Sequence, residues 1–474
     1  MVEMSTSSRT ASAIELLVPL RRDSDVPLHR QLEQQLRDSV RSGRFAAEST
    51  LPSTRALAGQ LGIARGVVVE AYEQLIAEGY LASRPGGSTR VARVPIVEQR
   101  LPTLSQRPQF EFDFRPGRPD LTEFPRSAWL RSLRRVLNET PATRLGYIDG
   151  RGMPELRAAL STYLNRARGT GASASEVVIA TGFAQALQLL ARTLRLRGAR
   201  RIGIEDPWHP EYRAMVDEAG LQTVPIAVDD RGISVDALEA ANVDAVVVTP
   251  AHQYPTGAVL PAERRAALIA WADRRDATII EDDYDSEFRY DREPIGAMQG
   301  LCADRVAYVG TASKVLAPGL RLGWIVAPSR IAADVAHLKM AADHGSAALD
   351  QLALADFITR GELDRHLRRM RILYRRRRDV LLDAFERHLP QMQPCGASAG
   401  LHVLATLPDG IDESALVERA AHAGIGLVGL SSTRVNPDGP GGLVFGYGSV
   451  DERQIKDGVA RIAGIVDDLR SSTG

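Results

Sequence analysis

The 474-residue sequence contains very little lysine. Its 59 basic residues are almost all arginines, and lysine occurs only at Lys314, Lys339 and Lys456. Arginine stays protonated in proteins, so it cannot supply the free primary amine that Schiff-base chemistry needs. Each remaining lysine is therefore a candidate for a role that arginine cannot fill. Lys339 and Lys456 lie in helical, partly polar stretches and are expected on the surface, whereas Lys314 follows a predicted buried strand.

Cysteine is also scarce, and long apolar runs are absent. Cys302 and Cys395 are far apart, which excludes a disulfide framework and fits a reducing compartment. No apolar run reaches membrane-spanning length, and the first twenty residues lack a secretory-signal pattern. The net charge is zero, so nucleic-acid binding would depend on a local element. The sequence predicts a soluble, cytoplasmic protein of two or three compact units without a membrane partner.

Residues 25–93 carry the pattern of a small DNA-binding domain. Three short amphipathic helices are expected, the second beginning at Ser53 or Thr54 and the third at Arg65. Residues 80–91 then alternate around a Pro-Gly-Gly turn, which predicts a hairpin. Three helices followed by a hairpin are typical of a winged helix-turn-helix.

Polar residues and glycines occur where a winged helix meets DNA. Arg65, at the start of the third helix, is the expected reader of a base edge, and the other arginines are expected to meet phosphates. A winged helix that contacts protein instead is the alternative. The residues expected to contact double-stranded operator DNA are Ser53, Thr54, Arg55, Arg65, Gly66, Arg84, Gly86 and Gly87.

The pattern after a proline-containing linker, residues 94–112, is that of an α/β domain. Short apolar runs alternate with helical segments over residues 113–362, which predicts a mostly parallel sheet covered on both faces. Residues 363–474 begin with a long arginine-rich helix and continue as a smaller α+β subdomain. The arginines of that helix are expected to form a solvated face paired with acidic residues, and a second nucleic-acid patch is the alternative.

Ligands in open α/β sheets bind at the carboxyl ends of strands, and two predicted strand ends carry suitable charges. The run Gly310-Thr311-Ala312-Ser313-Lys314 offers an amine that can bond an aldehyde. The hydroxyls of Thr311 and Ser313 and the guanidinium of Arg321 can hold a phosphate dianion. Asp282 follows another strand, where a carboxylate can keep a pyridine nitrogen protonated.

Two further strand ends complete the set. Gly182, Phe183 and Ala184 open a helix whose free N–H groups favour a phosphate. A polar turn with His252 and Gln253 can reach a ring hydroxyl. Each motif alone has an ordinary structural explanation, such as a strand cap or a helix start. Together they fill the phosphate, imine and ring-nitrogen functions, which predicts a pyridoxal 5′-phosphate (PLP) site.

These residues carry a family resemblance. Residues 111–470 resemble the aspartate-aminotransferase-like, fold-type I PLP proteins, and residues 28–91 resemble the GntR-type winged helix. The runs 249–257, 281–288 and 310–314 are similar to those of MocR/GabR-type transcription regulators in particular. The resemblance implies a homodimer with PLP on Lys314 as internal aldimine, Asp282 at the pyridine nitrogen, Tyr284 near the ring hydroxyl, and Arg321 with Thr311 or Ser313 at the phosphate.

The sequence departs from the family pattern at two places. Where Pro-Gly-Tyr is usual, it has Pro207-Trp208-His209, so His209 is expected to stack on the cofactor, with Trp208 as the alternative. The strand that usually carries a carboxylate-binding arginine has Val444, and the nearest arginine is Arg434, the candidate effector-binding residue.

The predicted function is transcription regulation in response to a small molecule. A working aminotransferase with an accessory N-terminal domain is the alternative, which the missing arginine disfavours. The effector is expected to be PLP itself, or else an amine or an amino acid. Because a desolvated carboxylate needs a partner, the missing arginine favours PLP.

Overall fold

The computed structural model describes residues 19–83, 88–93, 109–290, 295–436 and 439–473. The chain divides into two compact units, with the boundary between Arg107 and Pro108. No described helix is both long and apolar enough to cross a lipid bilayer. Three residues predicted to contact DNA, Arg84, Gly86 and Gly87, lie outside the described residues.

The first unit has the predicted winged helix-turn-helix architecture. Ser53 caps its second helix by accepting a hydrogen bond from the Ala56 N–H, and Gly62 ends that helix with a φ of 62°. The described part of the unit also contains a two-stranded antiparallel sheet. The apolar core includes Leu36, Leu57 and Leu75, one from each helix. The elements are α1 (Leu28–Arg41), α2 (Thr54–Leu61), α3 (Arg65–Ala77), β1 (Leu81–Ala82) and β2 (Arg90–Val91).

The second unit has the predicted α/β architecture. Its described helices are α4 (Arg126–Glu139), α5 (Pro154–Arg168), α6 (Phe183–Leu196), α7 (Pro210–Glu218), α8 (Val235–Ala241), α9 (Ala262–Arg275), α10 (Ser329–Asp343), α11 (Ala348–Thr359), α12 (Glu362–His388), α13 (Glu413–His422) and α14 (Glu452–Thr473). Its described strands are β3 (Phe112–Asp113), β4 (Val177–Ala180), β5 (Arg201–Asp206), β6 (Gln222–Asp229), β7 (Gly232–Ile233), β8 (Ala245–Val248), β9 (Thr278–Asp283), β10 (Val306–Thr311), β11 (Gly323–Val326), β12 (Gln393–Cys395), β13 (His402–Thr406), β14 (Ile425–Gly426), β15 (Val428–Gly429) and β16 (Gly442–Gly446).

The large sheet has eight strands in the order β4-β11-β10-β9-β8-β5-β6-β7. Strands β10, β9, β8, β5 and β6 are parallel, and β11 is antiparallel to both of its neighbours. Both faces are covered, because neighbouring residues of β8 pack in different apolar clusters. Ala245 and Val247 pack with residues of α6, whereas Val246 and Val248 pack with residues of α9. Because five strands are parallel, their carboxyl ends lie at the same edge of the sheet.

The residues after α12 form a smaller antiparallel sheet in the order β12-β13-β16-β15. The start of the second unit is tied to this region, because β3 pairs in parallel with β14. Gly117, four residues beyond β3, has a φ of 78°. This tight turn carries the chain to the edge of the large sheet where the parallel strands end.

Two expectations about basic residues are corrected by the fold. Helix α12 is not simply a solvated face, because Arg377 is buried, 2.6 Å from Asp120, and Arg371 donates to the Glu287 carbonyl. Lys339 is buried rather than on the surface, and its amine pairs with Asp343. Helical periodicity alone predicts that both side chains contact solvent, but in each case the helix packs there against another segment.

Candidate functional site

A cavity of about 320 Å³ lies where the parallel strands end. The loops after β4, β5, β9 and β10 supply most of its wall, as expected for an open α/β sheet. Residues that lie far apart in sequence therefore meet here. The predicted PLP-binding residues on its wall are Phe183, Ala184, His209, Asp282, Tyr284, Thr311, Ser313, Lys314 and Arg321.

Lys314 lies just beyond β10, and its amine points into this cavity. Its Nζ donates a hydrogen bond to the Gly117 carbonyl at 2.6 Å. Burial lowers the pKa of Lys314, although the charges of Asp285 and Asp282 oppose this effect. A lowered pKa increases the neutral fraction of the amine, which is the nucleophilic form.

Asp282, in β9, is buried in the cavity wall, and its Oδ1 atom has no hydrogen-bond partner among the described residues. Burial raises the pKa of its carboxyl group well above the ordinary value, and the charges of Asp283 and Asp285 add to this effect. Buried polar atoms are almost always paired in folded proteins. An unpaired carboxylate oxygen on a residue that lines a cavity therefore fits a cationic or N–H group supplied by a ligand.

Arg321, Thr311 and Ser313 lie together near the N-terminus of α6. The Thr311 and Ser313 hydroxyls are 2.9 Å apart. Gly182 precedes α6 with a φ of 107°, and a Cβ on it would lie 3.3 Å from the Arg321 guanidinium. Glycine thus lets the guanidinium approach a helix N-terminus, where free N–H groups already favour anions. This arrangement can hold a phosphate.

Three of the predicted residues, Gly182, His252 and Gln253, are not part of the cavity wall. The Tyr284 hydroxyl donates to the His252 carbonyl at 3.0 Å, and the His252 Nδ1 lies 3.1 Å from the Asp285 Oδ2. Gln253 donates to the Pro207 carbonyl at 2.9 Å. His252 therefore supports Tyr284 and Asp285, which do line the cavity, whereas Gln253 bonds the loop after β5.

His209, rather than Trp208, lies on the cavity wall. Its ring stacks on Tyr254 with centroids 3.7 Å apart and an interplanar angle of 5°. Burial, with a smaller contribution from Lys314, lowers the pKa of His209 to about 3, so the ring is neutral. Trp208 instead packs in the apolar cluster beneath α6 and α7. A flat neutral ring on the wall is suited to stacking against an aromatic ligand.

The exposed start of α3 lies in the first unit. Arg65 is its first residue, and the Arg65 Nε lies 3.4 Å from the Thr54 Oγ1 on α2. Gly66 is exposed, and a Cβ on it would have no atom within 4 Å. Arg55 on α2 is exposed as well. The described residues predicted to contact DNA thus lie on or beside the helix-turn-helix, with Arg65 free to extend outward.

Comparisons with known proteins assign both units. Residues 28–91 match the bacterial regulatory proteins of the gntR family, and residues 120–461 match aminotransferase class I and II. The probable rhizopine catabolism regulatory protein MocR of Rhizobium meliloti is 34% identical over 94% of each chain. The pyridoxine biosynthesis transcriptional regulator PdxR of Corynebacterium glutamicum is 34% identical over 92% of this chain and 95% of its own. The chain belongs to the MocR/GabR-type transcription regulators.

A solved structure agrees with this assignment for the second unit of this MocR/GabR-type regulator. The kynurenine aminotransferase of Pyrococcus horikoshii, solved in complex with PMP, is 27% identical and superposes with a TM-score of 0.70. The match covers 75% of this chain and 91% of that one. This match confirms the predicted fold-type I architecture of the second unit, and the gntR-family match confirms the predicted winged helix.

The cavity of this MocR/GabR-type regulator also contains residues that local sequence patterns did not single out. Tyr254 and Asp285 belong to motifs already recognised, and Glu211 directly follows the Pro-Trp-His-Pro run. Their places on the wall could therefore have been predicted from these motifs. Gly117 and His402 come from distant segments without a local signal. They reach the cavity only because the start and the small sheet of the second unit pack against the large sheet.

Arg434, the candidate effector-binding residue, does not line this cavity in the described structure. It ends a short helical turn, and the next two residues, Val435 and Asn436, donate main-chain hydrogen bonds to Asp206. Val444 is buried in β16, opposite Leu404 of β13. The site of this MocR/GabR-type regulator therefore lacks an arginine at both positions considered for a ligand carboxylate.

Proposed function

We propose that this regulator binds PLP through Lys314 and that PLP binding alters the affinity of its winged helix for operator DNA. The observation that carries this proposal is the set of side chains that line one cavity. A partly buried lysine, a buried aspartate with an unpaired carboxylate oxygen and an arginine beside a helix N-terminus line the same cavity. These are the three groups that a ligand with an aldehyde, a ring nitrogen and a phosphate requires.

Each residue has a distinct task in holding the cofactor. Bound PLP supplies an aldehyde carbon open to amines and a pyridine ring that withdraws electrons. Lys314 holds it covalently, and Asp282 accepts the ring N–H, which satisfies the otherwise unpaired Oδ1. Arg321, with Thr311 or Ser313, holds the phosphate, while Tyr284 approaches the ring hydroxyl and His209 stacks on the ring.

PLP itself is the proposed effector. A ligand shifts an equilibrium between two conformations only by binding them with different affinities. PLP meets that requirement if it pairs the Asp282 carboxylate in one conformation only. The name of the relative PdxR, a regulator of pyridoxine biosynthesis, agrees with this choice. An amino acid is disfavoured because neither Arg434 nor β16 offers a cation to its carboxylate.

The regulator is proposed to act on double-stranded operator DNA as a homodimer. A two-fold protein matches two operator half-sites, and gntR-family membership agrees with DNA binding. Sustained aminotransferase activity is the competing function, and the missing carboxylate partner disfavours it.

Chemical labelling tests the cofactor assignment. Purified protein is expected to be yellow, and borohydride treatment followed by peptide mapping should place the cofactor on Lys314. Lys314→Ala should lose the colour and retain the fold, with Lys456→Ala, an exposed lysine, as the matched control. A label on Lys339 or Lys456 contradicts the assignment.

Gel shifts test the regulatory part of the proposal. Wild-type protein with and without PLP should differ in operator affinity, and Lys314→Ala should give the same affinity in both conditions. Equal affinities of PLP-free and PLP-loaded wild-type protein would refute PLP as the effector while leaving the cofactor site intact.

A further inference from the structure

Several polar groups of the cavity remain after the PLP-binding roles have been assigned. Lys314, Asp282, Arg321, Thr311, Ser313 and Tyr284 have roles in holding the cofactor. Glu211, Asp285 and His402 also line the cavity and have none. Whether these groups donate, accept or carry charge determines which chemical groups a second ligand beside the cofactor must have.

His402 offers an acceptor. Its ring is buried, and burial lowers its pKa well below the ordinary value, so the imidazole is neutral. It hydrogen-bonds the main chain of Pro255, which has only a carbonyl to offer, so a ring N–H donates there. The Nε2 atom is buried without a partner among the described residues. In a neutral imidazole with one donating nitrogen, the other nitrogen is an acceptor.

Glu211 offers a negative charge. It is exposed at the first turn of α7, and its carboxylate has no hydrogen-bond or ion-pair partner among the described residues. Asp285 adds further negative potential, although its Oδ2 is already bonded to the His252 Nδ1 at 3.1 Å and to the Leu401 N–H at 3.2 Å. The unassigned charged groups of the wall are therefore acids, and beside them the wall offers the His402 acceptor and the hydroxyls of Tyr212 and Tyr254, which can donate or accept.

The positively charged side chains at the cavity already have partners or proposed roles. Among the described lining residues they are Lys314 and Arg321, both assigned to PLP. Arg118, next to the lining residue Gly117, pairs with Asp113 at 2.9 Å. The Tyr212 and Tyr254 hydroxyls can serve either kind of ligand group. Apart from them, a ligand carboxylate would meet acids and a lone-pair nitrogen, whereas a ligand ammonium group would meet complementary partners.

We infer that the cavity also admits a second effector, a primary amine with a further ammonium group and no carboxylate, recognised by Glu211 and His402. This inference rests on the proposed PLP site, since the first amine is directed to the cofactor aldehyde. The second ammonium group pairs with the Glu211 carboxylate and donates to the His402 Nε2. Glu211 and His402 are thus specificity-determining residues.

A matched pair of ligands tests the inference. PLP-loaded full-length protein is titrated with 1,3-diaminopropane and with 3-aminopropanoate, which differ only at the far end of the same chain. Visible absorbance of the cofactor gives the half-saturating concentration of each. The diamine is expected to saturate at a concentration at least about tenfold lower, because only its far end matches the acceptors.

Variants identify the residues responsible. Glu211→Gln should weaken the diamine about fivefold, the scale of an exposed ion pair, and should not weaken the amino acid, whose carboxylate the Glu211 charge repels. Glu218→Gln makes the same charge change at the far end of α7 and should have no effect. His402→Phe should weaken the diamine about fivefold, and His402→Gln, which keeps an acceptor, should restore part of the loss.

The possible failures are distinguishable. Protein that takes up no PLP, or carries it on another lysine, refutes the proposed function and this inference with it. PLP-loaded protein that binds the amino acid as well as the diamine refutes the inference alone. A loss of amino-acid binding in Arg118→Ala would then identify the cation that had been assigned to Asp113.

Discussion

Two neighbouring aspartates of β9 should respond in opposite ways to the same substitution. Asp282 and Asp283 are both buried. Asp283 is fully paired, accepting from the Arg168 Nε at 2.8 Å and from the Tyr308 hydroxyl at 2.7 Å. Asp282 lines the cavity, and its buried Oδ1 has no partner among the described residues. In PLP-free protein, Asp282→Ala should therefore be stabilising and Asp283→Ala destabilising.

The magnitudes follow from the two environments. Removing an unpaired buried polar group recovers about 1–3 kcal/mol, whereas removing Asp283 leaves the Arg168 charge buried and unpaired, at a cost of about 3–5 kcal/mol. The entropy of unfolding of the second unit, Pro108–Gly474, is about 0.8 kcal/mol/K, because each residue contributes ~2.1 cal/mol/K. The expected changes in Tm are a rise of about 1–4 °C for Asp282→Ala and a fall of about 4–6 °C for Asp283→Ala.

The gain from Asp282→Ala should depend on pH. The folded protein raises the pKa of Asp282 above its ordinary value of 3.8. Below that value the carboxyl group is protonated in both the folded and the unfolded state, so its ionisation contributes no difference. As the pH rises further, the unfolded state ionises first and the wild-type protein loses stability relative to the variant. The difference in Tm should widen from pH 4 towards neutrality.

Differential scanning fluorimetry of protein freed of PLP by hydroxylamine measures these changes. Added PLP should raise the Tm of the wild type by mass action and raise that of Asp282→Ala much less, because the partner of the ring nitrogen is gone. The reasoning is wrong if Asp282→Ala lowers the Tm of PLP-free protein at pH 7. It is also wrong if PLP stabilises both proteins equally.

Two further predictions concern DNA binding and assembly. Arg65→Ala should cost about 1–3 kcal/mol of discrimination at one base position if Arg65 reads a guanine; gel shifts that show equal losses on operator and scrambled DNA would contradict base reading. The PLP-loaded protein should be a homodimer, and light scattering that gives the mass of one chain, 51.5 kDa, at micromolar concentration would contradict that prediction.

The sequence was most informative at the ends of the parallel strands. Apolar runs located β4, β8, β9 and β10, and the rule that ligands bind at the carboxyl ends of such strands brought Lys314, Asp282 and Arg321 to one place. Each strand could be predicted independently because its signal is local. The cavity was predictable because parallel strands end at the same edge of the sheet, so that the residues following each strand lie close together.

Residues that reach the cavity through long-range packing could not be predicted in this way. His402 begins β13 of the small sheet. Gly117 lies in the segment after β3, more than 190 residues from Lys314, and its carbonyl accepts a hydrogen bond from the Lys314 amine. Neither has a neighbouring motif. Their positions depend on how β3 pairs with β14 and on how the small sheet packs, which helical or strand periodicity does not determine.

One arginine of α12 shows the opposite error, in which a local signal was interpreted too simply, while Arg368, Arg369 and Arg376 are exposed as expected. A run of like charges is ordinarily solvated, yet Arg377 is buried with Asp120, and its Nη1 donates to the Gly448 carbonyl. A guanidinium group has five donors in a fixed plane, so it can join several segments at once. In a chain with this little lysine, arginine serves inside the fold as well as on its surface.

The scarcity of lysine was a better guide than the helical pattern in which Lys339 lies. An arginine-rich chain should keep lysine where a guanidinium group does not fit, and of its three lysines Lys339 is buried and Lys314 is partly buried. The Lys339 amine has two side-chain partners, the Asp343 carboxylate and the Ser346 hydroxyl. Two acceptors serve an ammonium group, whereas five guanidinium donors would leave several unpaired in a buried space. The same composition that drew attention to Lys314 thus also explains a lysine with a purely structural position.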